Sequence, residues 1–185
     1  MSAVFVITGP SGVGKGTLIR TLRELVPELE LSTSATTRPP RAGEVEGVDY
    51  HFLDRDEFDR RVAEGRFLEH ATYSGNRYGT LRTEVEERGA RDVPVVLEIE
   101  VQGARQVRET LPEAVQIFIA PPDPADLRRR LEGRGTDDAA TIEARLAVAE
   151  EELAARDEFP HTVVNDDVDR AAAELAAIVR AGRDG

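Results

Sequence analysis

The sequence predicts an α/β fold in which a parallel β-sheet core carries an inserted α+β subdomain and a short helical lid. Two observations predict the core: short, continuous apolar runs alternate with segments of helical periodicity, and a glycine-rich loop joins the first run to the first helix. A continuous apolar run is typical of a strand buried on both faces of a parallel sheet. Two polar regions interrupt this alternation, and they predict the subdomain and the lid.

The core elements follow one another along the chain. Buried strands are predicted at residues 4–8, 93–99, 114–120 and 161–166. Helices are predicted at residues 15–26, between the second and third strands up to about Pro112, and at residues 168–180. Strands that alternate with helices in this way favour a parallel sheet covered by helices.

The two interruptions lie at residues 33–89 and 123–145. The first contains the strand-like pieces "VDYHFL" and "RFLEHATY", and a helix is expected after Asp56. The second opens with a proline-rich helix start and continues as an arginine-rich helix and a polar loop up to Thr141. We therefore expect one domain, with a core at residues 1–32, 90–122 and 146–185, a subdomain at 33–89 and a lid at 123–145.

Composition excludes several classes of protein. The length of 185 residues predicts one compact domain. The absence of cysteine excludes disulfides and cysteine-ligated zinc. Its three histidines are scattered, and its net charge of −12 argues against a basic nucleic-acid-binding face. No signal peptide is apparent and no apolar run approaches the ~18 residues that span a bilayer. We expect a cytoplasmic protein that binds neither nucleic acid nor membrane.

The loop "GPSGVGKGT" at residues 9–17 has the spacing of a phosphate-binding loop. Its lysine, Lys15, is the single lysine of the chain, whereas the other 23 basic residues are arginines. A compact ammonium fits between phosphate oxygens, whereas a guanidinium is a wide planar fork. A glycine-rich turn that merely joins a strand to a helix is the alternative. The strand, the spacing, the helix and the lone lysine together favour a phosphate site.

Gly16 occupies the position at which such loops usually carry a magnesium-binding hydroxyl, and Thr17 follows it. The "GKGT" ending resembles that of adenylate kinases and related nucleoside-monophosphate kinases. Magnesium keeps several waters, so much of its shell can be water and substrate phosphate. The missing hydroxyl therefore weakens a GTPase-like interpretation and leaves a kinase interpretation intact.

A second cluster, "STSATTRPPRAGEVEGVDYHF", combines arginines with a tyrosine, which suits a dianionic phosphate. With "GPSGVGKGT", "GNRYGT", "VQGARQV", "FIAPP", "LRRRLEGRGT" and "VVNDD", it resembles the guanylate kinase family over nearly the whole chain. The resemblance implies a P-loop core, a GMP-binding subdomain, and transfer of a phosphoryl group from ATP to GMP, and to dGMP, with Mg²⁺. It implies small-molecule substrates only, and a monomer is expected with an oligomer left open.

The resemblance also implies a role for each matching position. Four cations would act in catalysis: Lys15, Arg130, Arg134 and Arg145. ATP would be bound by Gly9, Pro10, Ser11, Gly12, Val13, Gly14, Lys15, Gly16, Thr17 and Asn165. GMP would be bound through its phosphate by Arg38, Arg41, Tyr50 and Tyr78, and through its base by Ser34, Glu69, Thr80 and Glu100. Mg²⁺ would be held, through water, near Thr17 and Glu98.

Guanine chemistry supports the role of Glu69. The base presents adjacent N1–H and N2–H donors, which one carboxylate can accept together, whereas adenine has no such pair. The chain departs from the family at Glu98 and Glu100, where aspartates are usual; glutamate keeps the charge but adds a methylene. Two alternatives stay open: a kinase acting on another nucleoside monophosphate, and a non-catalytic guanylate-kinase-like module that binds protein partners.

Overall fold

The computed structural model describes residues 3–73, 75–132 and 139–183, without side-chain detail for residues 124, 130–132 and 139–140. The prediction of a parallel core sheet is confirmed by five strands in the order β2-β7-β1-β8-β9, in which every neighbouring pair is parallel. These strands are β1 (Val4–Thr8), β2 (Glu30–Leu31), β7 (Val95–Glu98), β8 (Val115–Ala120) and β9 (His161–Val164). The predicted apolar runs therefore form strands. The second run is shortened at both ends, the third begins one residue later, and the fourth ends two residues earlier, at Val164.

Helices cover both faces of this sheet. They are α1 (Lys15–Leu25), α4 (Val101–Thr110) and α7 (Val168–Arg183). Successive β1 side chains point to opposite faces, so Phe5 and Ile7 pack in the cluster with α1 and α7, whereas Val4 and Val6 pack in the cluster with α4. Both apolar faces of the sheet are thus buried, as the continuous apolar runs predict.

The inserted region forms a second, mixed sheet of four strands in the order β4-β3-β6-β5. Its elements are β3 (Ala35–Thr36), β4 (His51–Phe52), α2 (Arg55–Ala63), β5 (Phe67–Tyr73), β6 (Asn76–Leu81) and α3 (Arg82–Ala90). It has a small apolar cluster of its own around Phe58 and Phe67, whose rings stack with centroids 4.4 Å apart. The interruption predicted at residues 33–89 is therefore an α+β unit.

Several local expectations need correction. Helix α2 begins at Arg55 and not after Asp56, because the Asp54 side chain accepts the Glu57 N–H at 2.7 Å and caps the helix. The predicted end of the polar loop at Thr141 is wrong, because α6 (Ala139–Ala154) already begins at Ala139. Residues 133–138 lie outside the described part of the chain, and α5 (Pro124–Glu132) precedes them. Across the described residues, no helix combines the length and hydropathy that crossing a bilayer requires.

The topology brings the polar strand ends together. Parallel strands end at the same edge of a sheet, and at this edge Glu98 of β7 lies beside Ile7 of β1, directly before the glycine-rich loop. The segment after β7 carries Glu100, and the segment after β9 carries Asn165. The chain thus places the groups predicted to bind nucleotide around one crevice.

Candidate active site

The glycine-rich loop has an open backbone because three of its glycines adopt positive φ. Gly9, Gly12 and Gly14 have φ values of 143°, 84° and 99°. A Cβ on Gly9 would lie 2.3 Å from the Ile119 carbonyl oxygen of β8, so this position requires glycine. Gly14 caps α1 without a side-chain hydrogen bond, which leaves the first N–H groups of that helix available to an anion.

Lys15 opens α1 and folds back over the loop. Its Nζ donates to the Gly9 carbonyl oxygen at 2.5 Å and approaches the Pro10 carbonyl oxygen at 3.4 Å. The ammonium thus lies against the loop backbone, next to the N-terminus of α1, where it adds a full positive charge to the partial charges of that helix end.

A cavity of about 560 Å³, here called the loop pocket, opens over this loop. Most of the residues predicted to bind ATP line it, together with Arg20, Glu98 and Glu100: they are Ser11, Gly12, Gly14, Lys15, Gly16 and Thr17. A Cβ placed on Gly16 would lie 4.0 Å from Glu98 Oε1, so Gly16 and Glu98 face each other across the pocket. Burial raises the pKa of Glu98, and the charge of Lys15 opposes that shift.

A second cavity, here called the cleft, has a volume of about 440 Å³ and lies between the core and the inserted sheet. Its lining includes many of the residues predicted to bind GMP: Ser34, Tyr50, Glu69, Tyr78 and Glu100. Lys15, Glu98 and Glu100 line both the cleft and the loop pocket. The two cavities therefore meet at one cation and two carboxylates.

Glu69 lines the cleft, and the fully buried Thr80 lies beside it. They face each other on β5 and β6, and the Thr80 hydroxyl donates to Glu69 Oε1 at 2.7 Å. Only 5% of Glu69 is exposed. Burial raises the pKa of Glu69 to about 7, and hydrogen bonds from Thr80 hold it from rising further. A carboxyl group that is buried to this degree accepts readily from any pair of donors that replaces its lost water.

Tyr50 and Tyr78 line another wall of the cleft, and Arg38 lies next to Tyr50. The Arg38 guanidinium lies 5.3 Å from the Tyr50 ring centroid, and the two tyrosine rings are 6.2 Å apart. Arg38 donates twice to the Glu44 carboxylate, at 2.8 and 3.0 Å, and the Arg41 backbone N–H donates to the same carboxylate at 2.6 Å. This geometry brings together three of the four predicted phosphate ligands and joins Arg41 to them through Glu44.

Comparison with known proteins agrees with this geometry. The guanylate kinase family model matches residues 1–182. The chain belongs to the guanylate kinase family. It is 55% identical to a guanylate kinase of Rubrobacter xylanophilus over 177 residues, covering 96% of this chain and 93% of the relative. It is 58% identical to one of Synechococcus sp. strain CC9902 over 170 residues, covering 92% of this chain and 91% of the relative.

A solved structure shows the same guanylate kinase fold. The crystal structure of guanylate kinase from Anaplasma phagocytophilum superposes with a TM-score of 0.77 at 34% sequence identity. The match covers 98% of this chain and 86% of that chain. The recognition made from the sequence motifs is therefore confirmed, and so is the fold class.

Not every residue implied by the guanylate kinase resemblance lines a cavity. Asn165 is buried, and its side-chain amide donates to the Val13 carbonyl oxygen at 2.7 Å, so it holds the loop from β9. Arg145 lies half-buried on α6. Arg134 lies outside the described residues, as does the side chain of Arg130 on α5. Arg128 pairs with Glu143 at 2.6 Å on an exposed face.

Two acidic residues close to the site, Glu44 and Glu152, were not predicted from the sequence. Glu44 lies in the segment "RPPRAGEVEG", and the two arginines that precede it, Arg38 and Arg41, were the available signal. Glu152, on α6, is only 7% exposed. Burial and the neighbouring Glu100 carboxyl raise the pKa of Glu152, whereas the charge of Lys15 and the Ser11 N–H lower it. This acid therefore connects α6 to both the loop and the cleft.

Proposed function

We propose that this chain transfers the γ-phosphoryl group of ATP to GMP, with ATP in the loop pocket and GMP in the cleft. One observation carries the proposal: the two cavities share Lys15, Glu98 and Glu100, so two nucleotides bound there meet at a single cation. Membership of the guanylate kinase family supports the same reaction. GMP and dGMP differ only at the 2′ position of the sugar, and both present the same base and phosphate.

Each wall of the site has a part in this reaction. The loop N–H groups and Lys15 bind the ATP phosphates, and Asn165 fixes the loop through Val13. Phosphoryl transfer needs positioning and charge stabilisation and little covalent chemistry, so no covalent enzyme intermediate is required. Lys15 neutralises the charge that develops between donor and acceptor.

The acceptor is held by its two ends. Arg38 and Arg41 bind the GMP phosphate with the hydroxyls of Tyr50 and Tyr78, since a guanidinium and neighbouring hydroxyls match a dianion. Glu69 accepts from N1–H and N2–H of the base, and Thr80 orients its carboxylate. The hydroxyl of Ser34 donates to O6 of the base, and Glu100 lies at the opening of the cleft toward the loop pocket.

The donor set around the loop fits Mg²⁺ held largely through water. Thr17 is exposed in the loop pocket and Glu98 lines it, so two oxygen-bearing side chains face a space that ATP oxygens and water would share. When bound, the ion would neutralise phosphate charge. The remaining predicted catalytic residues are Arg130 on α5, Arg145 on α6, and Arg134, which lies outside the described residues. We propose that they clamp the transferred group when the lid and the subdomain close over the core. The lid is residues 123–145, the subdomain is residues 33–89, and the core is residues 1–32, 90–122 and 146–185.

A coupled assay of ADP formation with GMP, dGMP, AMP, CMP and UMP tests this proposal. Adenine offers no pair of N–H donors to the buried Glu69 carboxylate. We therefore expect kcat/KM for GMP to exceed that for AMP by about 100-fold or more. ADP formation without an added acceptor should be negligible, because closure screens the phosphoryl group from water. An AMP preference would support the other kinase hypothesis, and no ADP with any acceptor would support a non-catalytic module.

The position of Gly16 leads to a second expected result, on magnesium. Gly16→Ser should be tolerated, because its Cβ would lie 4.0 Å from the nearest atom, an ordinary contact, and because α1 accepts serine in its first turn. Thr17→Val keeps the side-chain shape but deletes the hydroxyl, so half-maximal turnover should require several-fold more Mg²⁺ while KM for GMP stays unchanged. The measurement is turnover against free Mg²⁺ at saturating nucleotides.

Two results would contradict this assignment of the magnesium site. One is a Thr17→Val variant that matches the parent at every Mg²⁺ concentration. The other is a Gly16→Ser variant that needs much less Mg²⁺, since that would show a direct hydroxyl ligand to be missing. Thr21→Val is a matched control on the same helix, because the Thr21 hydroxyl donates only to the Thr17 carbonyl oxygen, at 3.3 Å.

A further inference from the structure

The carboxylate of Glu69 is enclosed between two structural elements. On one side, Oε1 accepts from Thr80 of β6 at 2.7 Å. On the other side, Oε2 lies against the first turn of α4, where a Cβ built on Gly103 would be 2.6 Å from Oε2 and 3.1 Å from the carboxyl carbon. Real Cβ atoms do not approach other atoms so closely, so any side chain at residue 103 must displace this carboxylate.

The backbone of α4 gives no reason for a glycine at this position. Gly103 lies within the helix and does not have a positive φ, so residues with side chains could adopt its backbone conformation. Glycine in a helix interior is also less favourable than alanine, because it loses more conformational entropy on folding. The close contact with Glu69 is what the missing side chain allows.

The contact also has an electrostatic consequence. Gly103 is the third residue of α4, and the helix N-cap, Glu100, makes no side-chain capping hydrogen bond. The first N–H groups of α4 thus form the positive end of a helix dipole next to a carboxyl group that burial pushes towards its neutral form. Close approach to this helix end favours the ionised carboxylate, which is the form that accepts two donors.

We propose that Gly103 is a specificity-determining position: by carrying no side chain, it sets the place of the Glu69 carboxylate so that this group accepts from both N1–H and N2–H of guanine. Gly103 lines the cleft, and the three atoms nearest to a Cβ at this position all belong to Glu69, so it acts through Glu69 as a positioning residue. The inference rests on the proposed role of Glu69 as the reader of the base.

The variant Gly103→Ala tests this inference. The added methyl group pushes the carboxylate out of place, so we expect KM and the dissociation constant for GMP to rise about tenfold or more. KM for ATP and kcat at saturating GMP should stay within about twofold of the parent, because the loop pocket is untouched. A matched control is Gly89→Ala in α3, where a Cβ meets nothing within 4 Å; it should leave both GMP values unchanged.

A double-mutant cycle shows whether Gly103 acts through Glu69. In a Glu69→Ala background the carboxylate is gone and the methyl group has room, so Gly103→Ala should raise the GMP dissociation constant by less than about twofold further. Equal fold-changes in the two backgrounds would overturn the inference, as would normal GMP affinity in the single variant Gly103→Ala.

Folding defects are also decisive in this cycle. If Gly103→Ala fails to fold but the double variant folds, the contact with Glu69 is the cause, which supports the inference. If neither folds, the glycine is required for another reason and the inference is wrong. Glu69→Ala with unchanged GMP affinity would remove the proposed base reading itself, whereas impaired Glu69→Ala with normal Gly103→Ala would overturn only the role of Gly103.

Discussion

Lys15→Met should lower kcat on the order of a thousandfold while the protein keeps its fold. The ammonium is the one full positive charge at the loop itself, and its side chain contacts loop carbonyl oxygens and not the apolar core. Methionine has a similar length and no charge, so it removes the stabilisation of developing phosphoryl charge with little change in packing. The measurements are steady-state turnover and the midpoint of thermal unfolding.

Charge and geometry can be separated with Lys15→Arg. A guanidinium keeps the charge but is too wide to take the place of an ammonium 2.5 Å from the Gly9 carbonyl oxygen. We therefore expect Lys15→Arg to be nearly as inactive as Lys15→Met. Arg23→Met, which removes an exposed cation elsewhere on α1, is the matched control and should retain full turnover. Turnover of Lys15→Met within tenfold of the parent would rule out the proposed mechanism.

The loop could be predicted from the sequence because its physics is local. Glycine spacing, an apolar strand before it and a helix after it are all features of neighbouring residues, and the structure reproduces them within one residue. The same holds for the core strands, whose apolar runs reflect burial on both faces. Positive φ at Gly9, Gly12 and Gly14 is a direct consequence of the motif.

Features that depend on pairing between distant segments could not be predicted in this way. Strand β6 has no apolar alternation of its own and forms because it pairs antiparallel with β5 and with β3. Helix α6 carries three successive glutamates, and only packing distinguishes Glu152, which is buried, from the exposed Glu150 and Glu151. Gly103 belongs to the same class, since its contact with Glu69 joins residues that lie far apart in the chain.

The Glu69 carboxylate itself should prove decisive for the choice of base. Glu69→Gln replaces one acceptor oxygen with an amide that carries donors. The glutamine can take two orientations. If its remaining oxygen accepts from Thr80, its N–H groups face the N–H donors of guanine. If that oxygen faces guanine, Thr80 loses its acceptor. We expect the substitution to cost about 1–3 kcal/mol of transition-state binding, so that kcat/KM for GMP falls roughly 5- to 150-fold. The change in kcat should be smaller than the change in KM.

Comparison of GMP with IMP locates the lost contact. Hypoxanthine keeps N1–H but lacks the exocyclic amine, so parent protein should already use IMP less well than GMP. In Glu69→Gln this difference should shrink, because the partner of the amine is gone. Glu64→Gln, on the exposed end of α2, is a control that should leave both substrates unaffected. Unchanged GMP kinetics in Glu69→Gln would show that this residue does not read the base.

The pH dependence of GMP binding provides the second measurement. With a pKa of about 7, Glu69 is half protonated near neutral pH, and guanine requires its ionised form. The dissociation constant for GMP should therefore rise as pH falls below about 7, and binding at that pH should release a proton. The GMP phosphate, with a second pKa near 6, adds its own dependence. Glu69→Gln should keep the pH dependence that comes from the GMP phosphate and lose the part that comes from Glu69. Titration calorimetry in buffers of different ionisation enthalpy can separate the two parts. Identical pH profiles for the two proteins would contradict the ionisation of Glu69 on binding.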